Sequence, residues 1–388
     1  MRASFDSQTL KRLSAAIACI SIVGVGLSLM LPLLALRLEA AGYPARYNGL
    51  HTAVSGLATL IGAHLTPWLA RKFGIRRLLF TAIGFGVASL MAFAFCANYD
   101  LWLAIRIFFG LSLTILFVVS EYWISAAAPP DQRGMVLGVY ATVLAIGFAI
   151  GPALLSLTGP EGLTPFFISA GLFLAAMIPV ALAGEDGAVK MDATGLPNLK
   201  LLIAGAPIAL GAALLYGAIE TGGNALLPVF GVRAGFSPSW ATFQLTLFAL
   251  GNVVFPIPIG LIADRVNRVR LMAFFALFGM AGALFLPAMT GNHWLYAAGL
   301  FVWGGVVGGL YPVGLAMLGD KYQGKQLGGA NAAYIMMYAT GMMIGPPALG
   351  LGLDLASPRG LFDTLALFFA LYLALILGLN WTRRRSFA

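Results

Sequence analysis

Long apolar runs alternate with short polar breaks along almost the whole chain. Each run is close to or above the ~20 residues that a helix needs to cross the hydrocarbon layer. Read in order, they predict spans over residues 13–37, a second ending at 70, 77–97, 101–127, a fifth ending near 157, and 163–184. A second set follows over 201–230, 238–263, 270–289, 294–318, 327–352 and 361–382. Between the sets lies the one substantial polar stretch, residues 185–199, which is too short to fold alone and reads as a cytoplasmic linker. Pro32 sits near the end of the first span as a bend, and Pro129-Pro130-Asp131 turn the chain between the fourth and fifth. Gly222-Gly223 interrupt the seventh span, and Gly304-Gly305 with Gly308-Gly309 permit close backbone contact in the tenth.

The two sets resemble one another. Gly260 to Arg270 reads G-L-I-A-D-R-V-N-R-V-R, and Pro67 to Arg77 is an imperfect copy in which Arg71 stands where the other carries Asp264. Leu31-Pro32 followed by Arg37 matches Leu227-Pro228 followed by Arg233, and Gly42-Tyr43 matches Gly235-Phe236. Gly147-x-x-x-Gly151-Pro152 matches Gly341-x-x-x-Gly345-Pro346, and Tyr140 matches Tyr334. Six spans per copy make twelve, and an even number per copy relates the halves by an axis along the membrane normal. The expected domains are 1–184, the linker 185–199, and 200–388.

The loop G-x-x-A-D-R-x-x-R between the second and third spans of a half resembles the signature of the major facilitator superfamily, and the resemblance covers essentially the whole chain. Arg106-x-x-x-Gly110 looks like that superfamily's arginine motif, which is associated with proton coupling. Gly147-x-x-x-Gly151-Pro152 looks like its antiporter motif, with Leu154-Leu155 where that motif has glycines. Ser120-Glu121, Arg133-Gly134 and Leu310-Tyr311-Pro312-Val313 look closest to the bacterial YcaD-like permeases. The resemblance implies an all-α membrane protein of twelve transmembrane helices in two six-helix pseudo-symmetric halves. It also implies alternating access about a midplane site.

Composition agrees with a membrane protein: 60% of the residues are apolar and 10% charged, against roughly 25% charged in soluble domains. The formal charge of +9 is placed by topology rather than by a nucleic-acid partner. All but five Lys and Arg fall in segments assigned to the cytoplasm. Arg37, Arg46, Arg233 and Arg359 lie outside and Arg106 within the membrane, so both termini are expected in the cytoplasm. Cys19 and Cys96 lie in apolar runs and imply no disulfide framework. The first run is too long for a signal-peptide core.

The charges inside spans are Arg106, Glu121 and Glu220, each costing roughly 2.5–3.5 kcal/mol at mid-helix on the insertion scale. Arg106 and Glu121 share one face of the fourth span, about 60° apart in azimuth and about 22 Å apart along the axis, too far to pair. Arg106 reads as a cavity residue that attracts anions or modulates a carboxyl. Glu121 reads either as a cavity residue or as a gate partner of Arg71, Arg76 or Arg77. Glu220 lies on one face with Tyr216 and Asn224. A low-dielectric setting disfavours its charged form, which suits a proton carrier; a permanently protonated Glu bonded across the bundle is the other possibility. Tyr140, Trp303, Tyr311, Tyr334 and Tyr338 either line an aromatic pocket or simply pack. At the cytoplasmic edge Asp264, Arg265 and Arg268 are expected to lock two helices, with Arg71 and Arg76 forming a weaker counterpart.

Neither a catalytic triad, a nucleotide loop nor a metal-ligand cluster is present in the sequence, so no enzyme activity, cofactor or metal is expected. The expected function is secondary transport of a small amphipathic molecule across the bacterial inner membrane by a monomer. Proton-coupled antiport (efflux) is the first reading, and proton-symport import of a small metabolite the second. A non-transporting sensor or assembly protein is the third.

Overall fold

The computed structural model describes residues 7–127, 133–183 and 199–385. The Pro129-Pro130-Asp131 turn and nearly all of the linker lie outside the described residues. Within them the chain forms α1 (Ser7–Ala40), α2 (Ala45–Phe73), α3 (Ile75–Phe95), α4 (Leu101–Ala127), α5 (Arg133–Thr158) and α6 (Thr164–Leu182). There follow α7 (Leu199–Gly205), α8 (Pro207–Arg233), α9 (Pro238–Val254), α10 (Pro256–Ala263) and α11 (Arg268–Phe285), which a short 3-10 turn extends. The last are α12 (His293–Gly308), α13 (Leu310–Lys321), α14 (Gly324–Leu355) and α15 (Gly360–Arg385).

Three expected spans are interrupted, each beside a proline, which has no N–H to donate to the carbonyl four residues back. Pro207 separates α7 from α8, Pro256 separates α9 from α10, and Pro312 removes the donor that would close the helix across Gly308-Gly309. Asparagines and a serine start the helices that follow loops. Ser237 Oγ accepts from Trp240 N–H, and Asn267 Oδ1 accepts from the N–H groups of Val269 and Arg270.

Ten helices of the described residues are long and apolar enough to cross a membrane. The expected twelve spans are therefore not all recovered on that measure. Helices α8 and α14 are missing from the ten, although they run for 27 and 32 residues. Their glycines, prolines, tyrosines and polar side chains dilute their hydropathy.

The described chain clusters into two compact units, Met1–Leu33 with Val54–Ala193, and Leu34–Ala53 with Thr194–Ala388. In the first unit α1 and α5 meet through glycines. A Cβ at Gly24 would lie 2.8 Å from Leu144 O, and Ser28 Oγ donates to Gly147 O at 3.1 Å. In the second unit α8 and α14 meet in the same manner: a Cβ at Gly341 would collide with Leu214 O, and one at Gly217 with Tyr338 O.

The second unit also holds an ionic cluster at the ends of its helices. Arg233 grips Glu39 through Nε–Oε1 at 2.7 Å and Nη2–Oε2 at 2.9 Å, and its Nη1 lies 3.4 Å from Asp354 Oδ1. Asp354 also accepts from the N–H groups of Ala45 and Arg46, at 2.8 and 2.9 Å, and so caps α2. A carboxylate at a helix N-terminus meets both its free donors and its positive pole.

The matched turns after α1 and α8 are alike in detail. Gly42 and Gly235 both take positive φ, 82° and 94°. Tyr43 N–H donates to Leu38 O, and Phe236 N–H to Gly231 O, at 3.0 and 2.9 Å. Both are the six-to-one closure of a glycine-terminated helix.

Candidate functional site

Glu220 lies near the centre of α8, one turn from Tyr216 and one from Asn224. Helix α14 approaches closely enough, across the Gly217 and Gly341 contacts, for Tyr338 to reach the carboxyl. Glu220 Oε1 accepts from the Tyr216 hydroxyl at 3.2 Å and Oε2 from the Tyr338 hydroxyl at 2.5 Å. Asn224 Nδ2 donates to the Glu220 carbonyl at 2.7 Å, which leaves Asn224 Oδ1, buried, without a donor. The Tyr216 hydroxyl also lies 3.5 Å from Asn252 Oδ1 on α9, so its one proton stands between two acceptors.

Two further tyrosine rings extend the cluster that begins with these phenols. Tyr216 packs on Tyr311 at 5.6 Å and Tyr338 at 6.3 Å, and Tyr311 packs on Tyr334 at 5.2 Å and Tyr338 at 5.6 Å. Tyr334 donates to Tyr311 O at 2.7 Å. The expected residues Glu220, Tyr216, Asn224, Tyr311 and Tyr334 are thus brought together. Of the two readings given for Trp303, packing is the one observed. Its indole N–H donates to Gly279 O at 2.9 Å and its ring lies against Phe248, Phe362 and Phe369 in the packed interior of the second unit. Tyr140 belongs to the first unit, where its hydroxyl pairs with Ser120 Oγ at 3.0 Å.

No Lys or Arg lies between Lys200 and Arg233, Arg233 and Arg265, Arg270 and Lys321, or Lys325 and Arg359. Within these stretches α8, α9, α13 and α14 offer Glu220 phenols and amides and no Lys or Arg.

In the first unit Arg106 is only 3% exposed, and its Nε and Nη2 have no hydrogen-bond partner. Gly110, one turn on, packs against Ala58 of α2. Glu121 is exposed at the far end of the same helix. Arg76 donates to Ala181 O at 3.1 Å and lies over the Phe80 ring. Arg71 is exposed.

At the turn from α10 to α11, Arg268 reaches Asp264 Oδ1 at 3.3 Å, Ala316 O at 3.3 Å, and the carboxylate of Asp320. The turn is thereby tied to the end of α13. Arg265 is exposed. Asp320 and Asn252 were missed by sequence reasoning. Each had a signal: an acid closing the tenth apolar run, and an asparagine in the middle of the eighth.

The chain matches the Major Facilitator Superfamily family model over residues 16–245 and 208–386. It is 25% identical over 366 residues to the uncharacterised MFS-type transporter YfkF of Bacillus subtilis, covering 92% of this chain and 93% of YfkF. It is also 25% identical over 323 residues to the uncharacterised MFS-type transporter YcaD of Escherichia coli O7:K1, covering 82% of each. These matches carry its relation to the YcaD-like branch. Among solved structures it resembles the nucleoside transporter NupG (TM-score 0.75, 15% identity, 96% and 97% coverage). It also resembles a D-xylose-proton symporter (TM-score 0.71, 16% identity, 95% of each chain). With its apolar helices and tyrosine-lined carboxyl, the chain belongs to the Major Facilitator Superfamily, as a multi-pass membrane transporter rather than an enzyme.

Proposed function

We propose that this protein is a proton-coupled symporter that takes up a small amphipathic metabolite by alternating access, with Glu220 as its proton site. The observation that carries the reading is the carboxyl of Glu220, whose two oxygens accept from two phenols on two helices and which forms no ion pair among the described residues. Such a carboxyl changes charge by binding a proton, and a transporter uses that change to bias one state over another. Tyr216, Tyr311, Tyr334 and Asn224 line the substrate position beside it. Arg106, a buried guanidinium with free donors, attracts an anionic group or a carboxyl, and Glu121 assists from the same helix. Asp264, Arg265 and Arg268 form the cytoplasmic gate, with Arg71 and Arg76 as its weaker counterpart.

In this reading α8 and α14 are spans despite their diluted hydropathy. Added to the ten apolar helices they make twelve, six in 1–184 and six in 200–388 about a linker at 185–199. The protein sits as a monomer in the bacterial inner membrane with both termini in the cytoplasm, its partners being the bilayer, protons and the substrate.

Uptake is preferred to export for a physical reason. The export reading rests on Gly147-x-x-x-Gly151-Pro152. These glycines allow α5 to touch α1, and the matched Gly341 and Gly345 allow α14 to touch α8. A packing device used in both copies carries no direction. The folds it resembles also include a named proton symporter.

Proteoliposomes with a pH dye in the lumen test this, over a panel of ring-bearing metabolites and amphipathic compounds. Lumen acidification on adding a compound outside, lost in Glu220→Gln, is the expected result. Alkalinisation would replace symport with antiport. Uptake that Glu220→Gln leaves unchanged would remove Glu220 from the mechanism.

A further inference from the structure

We propose that Tyr216 is a hydroxyl switch which reports the protonation of Glu220 to Asn252, and through the interrupted tenth span to the Arg268 ion cluster. The proposal rests on the reading of Glu220 as the proton site. It concerns how that proton is felt elsewhere.

The Tyr216 hydroxyl has one proton and two acceptors in reach, Glu220 Oε1 at 3.2 Å and Asn252 Oδ1 at 3.5 Å. With Glu220 ionised, the hydroxyl donates to the carboxylate, the stronger acceptor. When a proton from water binds Oε1, that new O–H donates to the phenol oxygen instead. The phenol proton then turns about the C–O bond to Asn252 Oδ1. No Tyr216 bond breaks, no charge crosses the phenol, and the added proton leaves Oε1 by the path it came. Glu220 and Tyr216 stay hydrogen-bonded to each other in both protonation states, but only one state ties α8 to α9.

Asn252 is placed to pass this on. Its side chain is anchored by Nδ2 to Phe248 O at 3.3 Å, while its Oδ1 lies against Gly308, where a Cβ would collide with it. Gly308 is the last residue of α12, at the interruption that Pro312 imposes. Tyr311, just beyond it, packs on Tyr216 itself. Helix α13 then runs from this point to Asp320, which holds Arg268, which holds Asp264. A short helix hinged at glycines thus has the switch at one end and the ion cluster at the other. Among the described residues the titratable groups bonded to Glu220 are Tyr216 on its own helix and Tyr338 from α14; Tyr311 from α13 packs on both phenols, and Tyr334 from α14 packs on Tyr311. Helix α9 brings Asn252 to Tyr216, and Tyr372 of α15 is committed to Ile208 O.

The test needs no known substrate. An environment-sensitive fluorophore on Gly319→Cys, an open position beside Asp320, is placed in a Cys19→Ser, Cys96→Ser background. The purified protein is titrated with pH in lipid nanodiscs. The parent should give a pH-dependent signal that Glu220→Gln abolishes. Tyr216→Phe and Asn252→Leu should each lose at least half its amplitude, while Asn252→Asp, which keeps the acceptor, retains it. Melting temperatures close to the parent's show that the variants are folded. A full response in Tyr216→Phe overturns the switch and leaves Glu220 as proton site. A full response in Glu220→Gln overturns the proton site itself. A parent with no pH response overturns the path from carboxyl to ion cluster.

Discussion

Arg106 and Glu220 are both charged groups lodged within helices, one in each unit, and they are held in opposite ways. Each oxygen of Glu220 accepts from a phenol, whereas two nitrogens of Arg106 have no partner although the residue is 3% exposed. The contrast follows from what each group can do. A carboxyl can take up a proton, so surroundings that serve both its states let it cycle. A guanidinium keeps its proton in any protein setting, and its only way to lower its energy is to find an acceptor. The second unit holds a carboxyl whose oxygens are both supplied with donors, and the first holds a guanidinium with two donors unfilled.

Five substitutions break or sharpen that contrast. The largest effect is expected from Glu220→Gln, which should lower proton-driven accumulation by about 5- to 150-fold, the usual span of a lost coupling energy. Counterflow exchange, which needs no net proton movement, should persist. Loss of both together would mean that the carboxyl binds substrate only. Next, Tyr338→Phe removes a donor to the carboxyl and Tyr372→Phe a donor to the neutral Ile208 carbonyl. Chemical denaturation should show losses of about 1.5–3 and about 0.5–1.5 kcal/mol respectively, provided Glu220 is ionised. Equal losses would indicate a neutral acid at the pH of measurement.

Arg106→Met replaces an unpartnered buried charge by an apolar chain of similar length. It should raise stability by about 1 kcal/mol or more, as seen when buried ions are exchanged for hydrophobes, while transport fails. A loss of several kcal/mol would reveal a partner and end the contrast. The smallest effect is expected at the exposed ion cluster, where Asp264→Asn should cost about 0.2–1 kcal/mol and less in high salt. A larger, salt-insensitive cost would place Asp264 in a drier setting than its 73% side-chain exposure suggests.

How much of this was legible in the sequence depended on the length of the signal. A run of twenty apolar residues is hard to misread, and most span boundaries are recovered within a few positions. The breaks at Pro207, Pro256 and Pro312 were harder, because one missing N–H interrupts a helix without interrupting its apolar run. Glu220, Tyr216 and Asn224 were legible because helical spacing alone puts them on one face. Tyr338 as a donor to Glu220 was not, since it depends on how closely α14 approaches α8. Trp303 stayed open between pocket and packing, because an indole packed on three phenylalanines has the same composition as an indole lining a pocket. Asp354 capping α2 joins positions 309 residues apart, and no local pattern encodes such a pair.

The paired glycine turns after α1 and α8 bear on the history of the chain. At that end of the two copies the same residue type, the same backbone twist and the same closing bond have been kept. At the other end the copies have parted: Gly74 turns the chain with positive φ in one, while Asn267 and the Asp264–Arg268–Asp320 cluster do so in the other. The two turns thus differ in what is seen to shape them, a glycine twist in one and an ion cluster in the other. Grafting 260–270 onto 67–77 would therefore restore the look of symmetry without its function, because the graft would bring Asp264 and Arg268 but not the acid at position 320 that completes the cluster.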